Sequence, residues 1–281
     1  MMQTAVQDPF AHATSAANIE RFRGFAARYD AARPAPPLAI PHMLMQLAQT
    51  SRPRLVVDLG SGTGLSTVIW APLADAVIGV EPGADMRRQA QVRTAALPDS
   101  AHVTYREAVA AATGLPAQCA DIVTCSQALH WMTPAPTLAE VGRILRPGGV
   151  FAAYDNDWPP VVAWEAEAAY NRCLSRALHL GHARQLFGAS RSWDKEGHLA
   201  RMEASGHFRY CREVLIHHQE MGNAERLVAV ALSQGSVATL LKAGLSEDEI
   251  GITSLRAVAQ RTLGDTPAPW LWSYRVRVGI R

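Results

Sequence analysis

The chain has 281 residues, 48% of them hydrophobic and 19% charged, with a mean hydropathy near zero. At about 100–200 residues per domain this is enough for one substantial domain with or without an appended cap, and it excludes a disordered chain. The net charge is +2, and the basic residues are scattered arginines apart from Lys195 and Lys242, which counts weakly against a nucleic-acid partner.

No stretch approaches the roughly 18 consecutive apolar residues of a membrane span. Asp8, His12 and Glu20 interrupt the region where a secretory leader needs an apolar run. The expectation is a soluble cytoplasmic protein, monomeric or homodimeric, with neither membrane nor nucleic acid as partner. Cys119, Cys125, Cys173 and Cys211 show no C-x-x-C spacing and are expected to be structural thiols.

In chain order, residues 1–20 read as a lead-in, and Ile19–Asp30 as a short helix broken by Pro34, Pro36 and Pro37. Ala39–Thr50 has helical spacing through Leu44 and Leu47. Arg54–Gly60 is a short β-branched run ending in glycine, then come Ser61-Gly62-Thr63-Gly64 and a helix-like stretch from Leu65 to about Ala74. Ala76–Val80 is a second strand ending at Glu81, and Ala84–Leu97 a helix. Short strands at Val103–Arg106 and Ile122–Cys125, a helix at Thr137–Leu145 and a strand at Val150–Tyr154 continue the alternation.

Beyond Tyr154 the texture changes. Val161–Leu186 reads as helix, Phe208–His217 as strand, Asn223–Leu241 and Glu247–Thr262 as helices, and Ser273–Ile280 as a last strand. The alternation predicts an α/β fold with a doubly wound, mostly parallel sheet, finished by an antiparallel C-terminal strand.

The glycine loop between the first strand and its helix lets the backbone turn sharply and approach a ligand without a Cβ in the way. Glu81, at the end of the next strand, is placed to accept hydrogen bonds from the ribose hydroxyls of a nucleoside. A dinucleotide fingerprint needs its third glycine where this chain has Leu65. Here Gly60, Gly62 and Gly64 follow Asp58 in a G-x-G-x-G pattern.

That pattern resembles the first motif of class I S-adenosylmethionine-dependent methyltransferases. Over roughly residues 20–155 the chain is similar to the small-molecule branch that includes the trans-aconitate and ubiquinone-biosynthesis-type enzymes. Ala120–Trp131, Leu145–Gly149 and Phe25–Arg33 carry the rest of the likeness.

The resemblance implies a seven-stranded Rossmann-like sheet divided into an N-terminal helical lid (1–50), a cofactor-binding core (51–157), a helical cap insertion (158–206) and a C-terminal completion of the sheet (207–281). It implies that Gly60, Ser61, Gly62 and Gly64 line the methionyl and ribose part of S-adenosyl-L-methionine, and that Asp58 organises its ammonium end. Glu81 would hold the ribose, Met86 would lie against adenine, and backbone near Ala110 would hold the adenine edge. Ser126 and Gln127 would meet the methionyl end, with Tyr29 and Arg33 closing over it. Glu107 stands slightly early for the adenine-binding acid of many relatives.

For chemistry, His130 after the fourth strand is the candidate base or substrate-orienting group, because imidazole titrates near neutrality; a histidine bonded to a loop carbonyl is the other reading. Trp131, Tyr154 and Asp155 are candidates for the substrate wall, although a polar loop capping the next helix also accounts for the acid. Arg172, Arg176 and Arg184 are candidates to face an anionic acceptor. His179 with His182, and His217 with His218, lack the spacing of a metal site, so no metal is expected.

The function expected is methyl transfer from S-adenosylmethionine to an O or N atom of a small molecule. A non-catalytic binding protein of the same fold is the alternative, and a nicotinamide-dependent oxidoreductase a more distant one.

Overall fold

A computed structural model describes residues 33–188 and 192–281. The helix expected at Ile19–Asp30, and with it Tyr29, lies outside the described residues.

Seven strands form one sheet in the order β3-β2-β1-β4-β5-β7-β6. They are β1 (Val56–Leu59), β2 (Val77–Val80), β3 (Val103–Arg106), β4 (Ala120–Ser126), β5 (Leu145–Asn156), β6 (Tyr210–Gly222) and β7 (Ala268–Ile280). Neighbours from β3 to β5 pair in parallel, and β7 runs antiparallel between β5 and β6. This is the mostly parallel Rossmann-like sheet with a reversed C-terminal strand that the alternation predicts.

Because side chains alternate along a strand, each central strand feeds two cores. Val56, Ile122, Val150 and Ala152 point to one face, where they pack with α1 (Ala39–Leu47), α4 (Trp164–Ala183), α6 (Ala224–Leu232), α7 (Gly235–Lys242), α8 (Glu247–Ile250) and α9 (Ile252–Leu263). Val57, Val123, Phe151 and Ala153 point to the other, against α3 (Pro134–Ile144) and Met202 of α5 (His198–Ala204). The remaining helix, α2 (Ala84–Ala95), buries Met86, Ala90 and Thr94. Each fully buried aliphatic side chain contributes about 1.5–3 kcal/mol. The largely apolar strand runs are therefore what fixes the sheet in the middle of the molecule.

Several boundaries differ from expectation. The stretch after the glycine loop forms only a 3-10 turn at Thr67–Trp70, with Pro72 close behind it. The helix expected over Asn223–Leu241 is two helices: Gln234 adopts an extended ψ of 134° between them, and the Ser233 hydroxyl donates to the Val230 carbonyl at 2.7 Å. β7 begins at Ala268, so Trp270 and Trp272 are strand residues of the core.

The expected cap is also placed differently. α4 buries Ala166, Ala169, Tyr170, Cys173 and Ala177 in the main core. Its Arg176 donates from Nε to the Glu249 carbonyl at 2.6 Å, and Arg184 lies 3.4 Å from the Glu249 carboxylate. These arginines hold α4 to α8, so the expectation that they face an acceptor is corrected: the small apolar face of α4 turns it into the helix layer. All four cysteines are free, with Cys125 and Cys173 buried. Among the described residues no helix is long and apolar enough to cross a membrane.

Candidate active site

At the carboxyl ends of the parallel strands lies a cavity of about 710 Å³. Ligands of open α/β sheets bind at this edge, outside the strand ends. The glycine loop forms its floor. Gly60 has φ of +63°, and a Cβ there would lie 2.7 Å from Ala128 Cβ and from Met132 Cε. The loop thus packs directly against the turn after β4, which no larger residue permits. Gly60 N–H and Ser61 N–H both donate to the Val80 carbonyl, at 2.8 and 3.2 Å. Gly60, Ser61 and Gly62 line the cavity, and the buried Ser61 Oγ has no protein partner among the described residues.

Gly64 does not line it. With φ of +81°, its missing Cβ makes room for Tyr105 Oη, 2.6 Å from where that Cβ would stand, so its work is packing.

Glu81 closes one side. Its Oε2 accepts from Gly62 N–H at 3.0 Å and its Oε1 from Gly83 N–H at 2.8 Å, and burial raises its pKa against those two bonds. A carboxylate fixed by backbone donors on both oxygens is oriented before any ligand arrives. Beyond it, Met86 and the Val109–Ala112 segment, including the buried Ala110, supply an apolar slot. Glu107 is exposed and paired with Arg87, outside the lining.

The opposite end is formed by Ser126, Gln127, Trp131, Arg33, Asn156 and Tyr274, among others. Gln127 has a left-handed φ of +54°, which starts the turn after β4. Gln127 Nε2 and Asn156 Nδ2 are buried and lack a protein partner among the described residues. Arg33 donates from Nε to Ser233 Oγ at 3.2 Å and lies 4.4 Å above the Trp158 ring. Asn156 and Tyr274 were not singled out from the sequence. Tyr274 reaches the site only because β7 pairs with β5, with Asn156 opposite Tyr274.

Four other sequence candidates sit behind the lining. Asp58 is fully buried beneath the loop, accepts from Thr67 Oγ1 at 2.7 Å and Thr124 Oγ1 at 2.8 Å, and is raised to about 6 by burial. Tyr154 is buried in the core with its hydroxyl on Ser66 Oγ. His130 and Asp155 lie together and are not among the lining residues, with His130 Nδ1 3.6 Å from Asp155 Oδ1.

Around Asp155 the chain assembles a buried network. Lys195 Nζ is 2.9 Å from Oδ1, Arg277 Nη1 3.2 Å from Oδ2, and Arg277 Nε 2.8 Å from Glu213 Oε2. His198 joins it, so that His130, Asp155 and His198 each bring a donor atom within 4.8 Å of the others. The two cations already match the two carboxylates. Burial, with Lys195 nearby, lowers His130 to about 3, and burial lowers His198 to about 4. Both imidazoles are held neutral at physiological pH chiefly by burial, against the pull of Asp155.

Residues 57–153 match the family described as "Methyltransferase domain". The chain is 34% identical over 140 residues to an uncharacterized methyltransferase of Mycobacterium tuberculosis, covering 50% of this chain and 53% of that protein. It is 29% identical over 127 residues to a Saccharomyces cerevisiae protein named "Probable S-adenosylmethionine-dependent methyltransferase CRG1", covering 45% and 43%. The chain thus spans about half the length of these relatives. A solved structure from Anaeromyxobacter dehalogenans, proposed to be a type II methyltransferase, superposes with a TM-score of 0.62 at 23% identity, covering 88% of this chain and 97% of that one.

Sheet order and glycine loop define a Rossmann-like class of protein. The sequence matches narrow it: residues 57–153 of this chain match a methyltransferase domain, set in a Rossmann-like sheet.

Proposed function

We propose that the chain binds S-adenosyl-L-methionine in the 710 Å³ cavity and transfers its methyl group to an oxygen or nitrogen of a small-molecule acceptor. The observation that carries this reading is Glu81. Its carboxylate is held by Gly62 and Gly83 N–H at the end of β2 and faces a cavity floored by glycines. The group implied fits the residues present: an acid for two ribose hydroxyls, an apolar slot at Met86 and Ala110 for adenine, and unsatisfied polar atoms on Ser61 and Gln127 for the amino-acid end. When bound, the nucleoside supplies a methyl carbon activated by its sulfonium. The protein's part is to hold acceptor and methyl in line, which is where most of the acceleration of such a displacement comes from.

The acceptor end lends itself to a particular chemistry. Gln127, Asn156 and Arg33, whose side chains carry N–H donors, are among the residues there, and the acidic side chains among the described lining residues, Glu81 and Asp85, stand at the nucleoside end. His130 is a weak base whose Nδ1 lies beside Asp155, and it is not among the lining residues. We infer an acceptor that arrives without a proton to lose, and a carboxylate suits these donors best. Trp131 and Tyr274 would form its walls, and Arg33 its anchor.

The test is calorimetric titration with S-adenosylmethionine and S-adenosylhomocysteine, with NADPH as control, on wild type and Glu81→Ala. Both nucleosides are expected to bind at micromolar concentrations. Loss of the ribose acid should cost about 1.5–3 kcal/mol, ten- to hundredfold in affinity. A protein that binds neither nucleoside, or binds both equally well without Glu81, would refute the reading.

A further inference from the structure

We propose that Lys195 is a positioning residue for the methyl donor: it aims the amide of Gln127 at the amino-acid end of the nucleoside. This rests on the reading of the cavity given above. The Gln127 carbonyl oxygen accepts from Lys195 Nζ at 3.3 Å, while Nε2 is buried with no protein partner among the described residues. An ammonium only donates, so the amide atom facing Lys195 must be the oxygen, and the N–H donors are turned the other way. Gln127 is one of the residues that line the cavity. The turn it begins abuts the glycine loop, since a Cβ on Gly60 would stand 2.7 Å from Ala128 Cβ. That is the corner where the amino-acid end of the nucleoside would lie.

Lys195 is itself held in place. Its Nζ is 2.9 Å from Asp155 Oδ1, and Asp155, only 5% exposed at its side chain, is held from its other oxygen by Arg277. Two residues before Lys195, Trp193 N–H donates to the His130 carbonyl at 2.8 Å. The segment leading into α5 is therefore fastened twice to the turn after β4: once through backbone, once through the ammonium. A charged donor on the amide oxygen also polarises the amide and strengthens its N–H groups as donors. This gives the buried network at Asp155 a purpose beyond folding. It holds a cation at the rear of a ligand-binding amide, on a residue already in a left-handed conformation with φ of +54°.

The experiment compares S-adenosylhomocysteine with 5′-methylthioadenosine, which keeps the adenosine and sulfur but lacks the amino-acid end. Calorimetry is run on wild type, Lys195→Met, Lys195→Arg, Gln127→Ala and the Lys195→Met/Gln127→Ala double variant, each checked for folding by thermal unfolding. Lys195→Met should weaken S-adenosylhomocysteine about three- to tenfold and leave 5′-methylthioadenosine within twofold. Gln127→Ala should do the same, the double variant should be no weaker than Gln127→Ala alone, and Lys195→Arg should restore most of the affinity. Equal weakening of both nucleosides, additive effects in the double variant, or an unchanged S-adenosylhomocysteine affinity would each overturn the proposal. If Lys195→Met does not fold, Lys195→Arg and Gln127→Ala still decide it: the first must bind like wild type and the second must discriminate the two nucleosides. A wild type that binds neither nucleoside marks the failure of the cavity reading itself, and the role of Lys195 falls with it.

Discussion

Asp58 shows how one buried residue makes the glycine loop sensitive to pH. In the unfolded chain its carboxyl titrates near 3.8, and in the fold burial holds it near 6 although two threonine hydroxyls donate to it. Between those values the folded protein keeps a proton that the unfolded chain has released. The group's favourable contribution is therefore complete below about pH 4 and is lost as the pH rises through 6, a change of up to about 3 kcal/mol. His130 and His198 act with the opposite sense. Their folded values are lowered, so their contribution is present above the ordinary histidine range and fades on acidification. Comparing wild type with Asp58→Asn cancels those shared terms. Urea unfolding at pH 4.5, 5.5, 6.5 and 7.5 should show wild type losing stability relative to the variant as the pH rises. Parallel curves would mean that the threonine hydrogen bonds outweigh burial and that Asp58 is ionised throughout. From the sequence this residue was legible as a member of the motif, but not its position beneath the loop. That depends on Thr67 and Thr124, one in the turn after the loop and one on a neighbouring strand.

At the level of elements, the parallel half of the sheet was readable because β1, β2 and β4 are short β-branched runs bounded by turn residues, and both faces of each are buried. The helices were harder. Asn223–Leu241 carries one apolar periodicity, and nothing local marks the break at Gln234 except a following glycine. The break is made by tertiary packing, as α6 and α7 each bury a separate apolar face against the same core. α6 keeps a clear start signal in Asn223, whose Oδ1 accepts from Arg226 N–H at 3.0 Å while Nδ2 donates to the Asp265 carbonyl at 3.0 Å. The same side chain thus caps α6 and ties it to the loop that enters β7. Asn223→Ala should cost about 1–2 kcal/mol by denaturant unfolding, and Asn223→Asp should recover the cap but not the bond to Asp265. A loss under about 0.3 kcal/mol in the alanine variant would show that solvent replaces both bonds.

Across the whole molecule, the candidate site is assembled from distant parts of the chain: Arg33 and Pro34 near one end, the glycine loop, the turns after β4 and β5, and Tyr274 near the other. Sequence reading reached the local half of that list, because Gly60, Gly62, Glu81, Gln127 and Trp131 stand in contiguous motifs. It missed Asn156, Tyr274 and Lys195, whose roles exist only once β7 pairs beside β5 and the segment before α5 returns to the β4 turn. It also placed His130 at the chemistry, whereas His130 and Asp155 stand beside each other behind the residues that line the cavity. A cavity closed by both ends of the sheet couples ligand binding to global unfolding. For a ligand at about a hundred times its Kd, the added stability is about 2.7 kcal/mol, which for a chain of this size raises Tm by about 4–5 °C. S-adenosylhomocysteine at that concentration should therefore shift the main unfolding transition, and Glu81→Ala at the same concentration should retain only about 1–2 °C of the shift. If the ligand moved a minor early transition and left the main one in place, the site would belong to a subdomain that opens on its own, and the β5–β7 pairing that brings Tyr274 to the cavity would not be part of the cooperative unit.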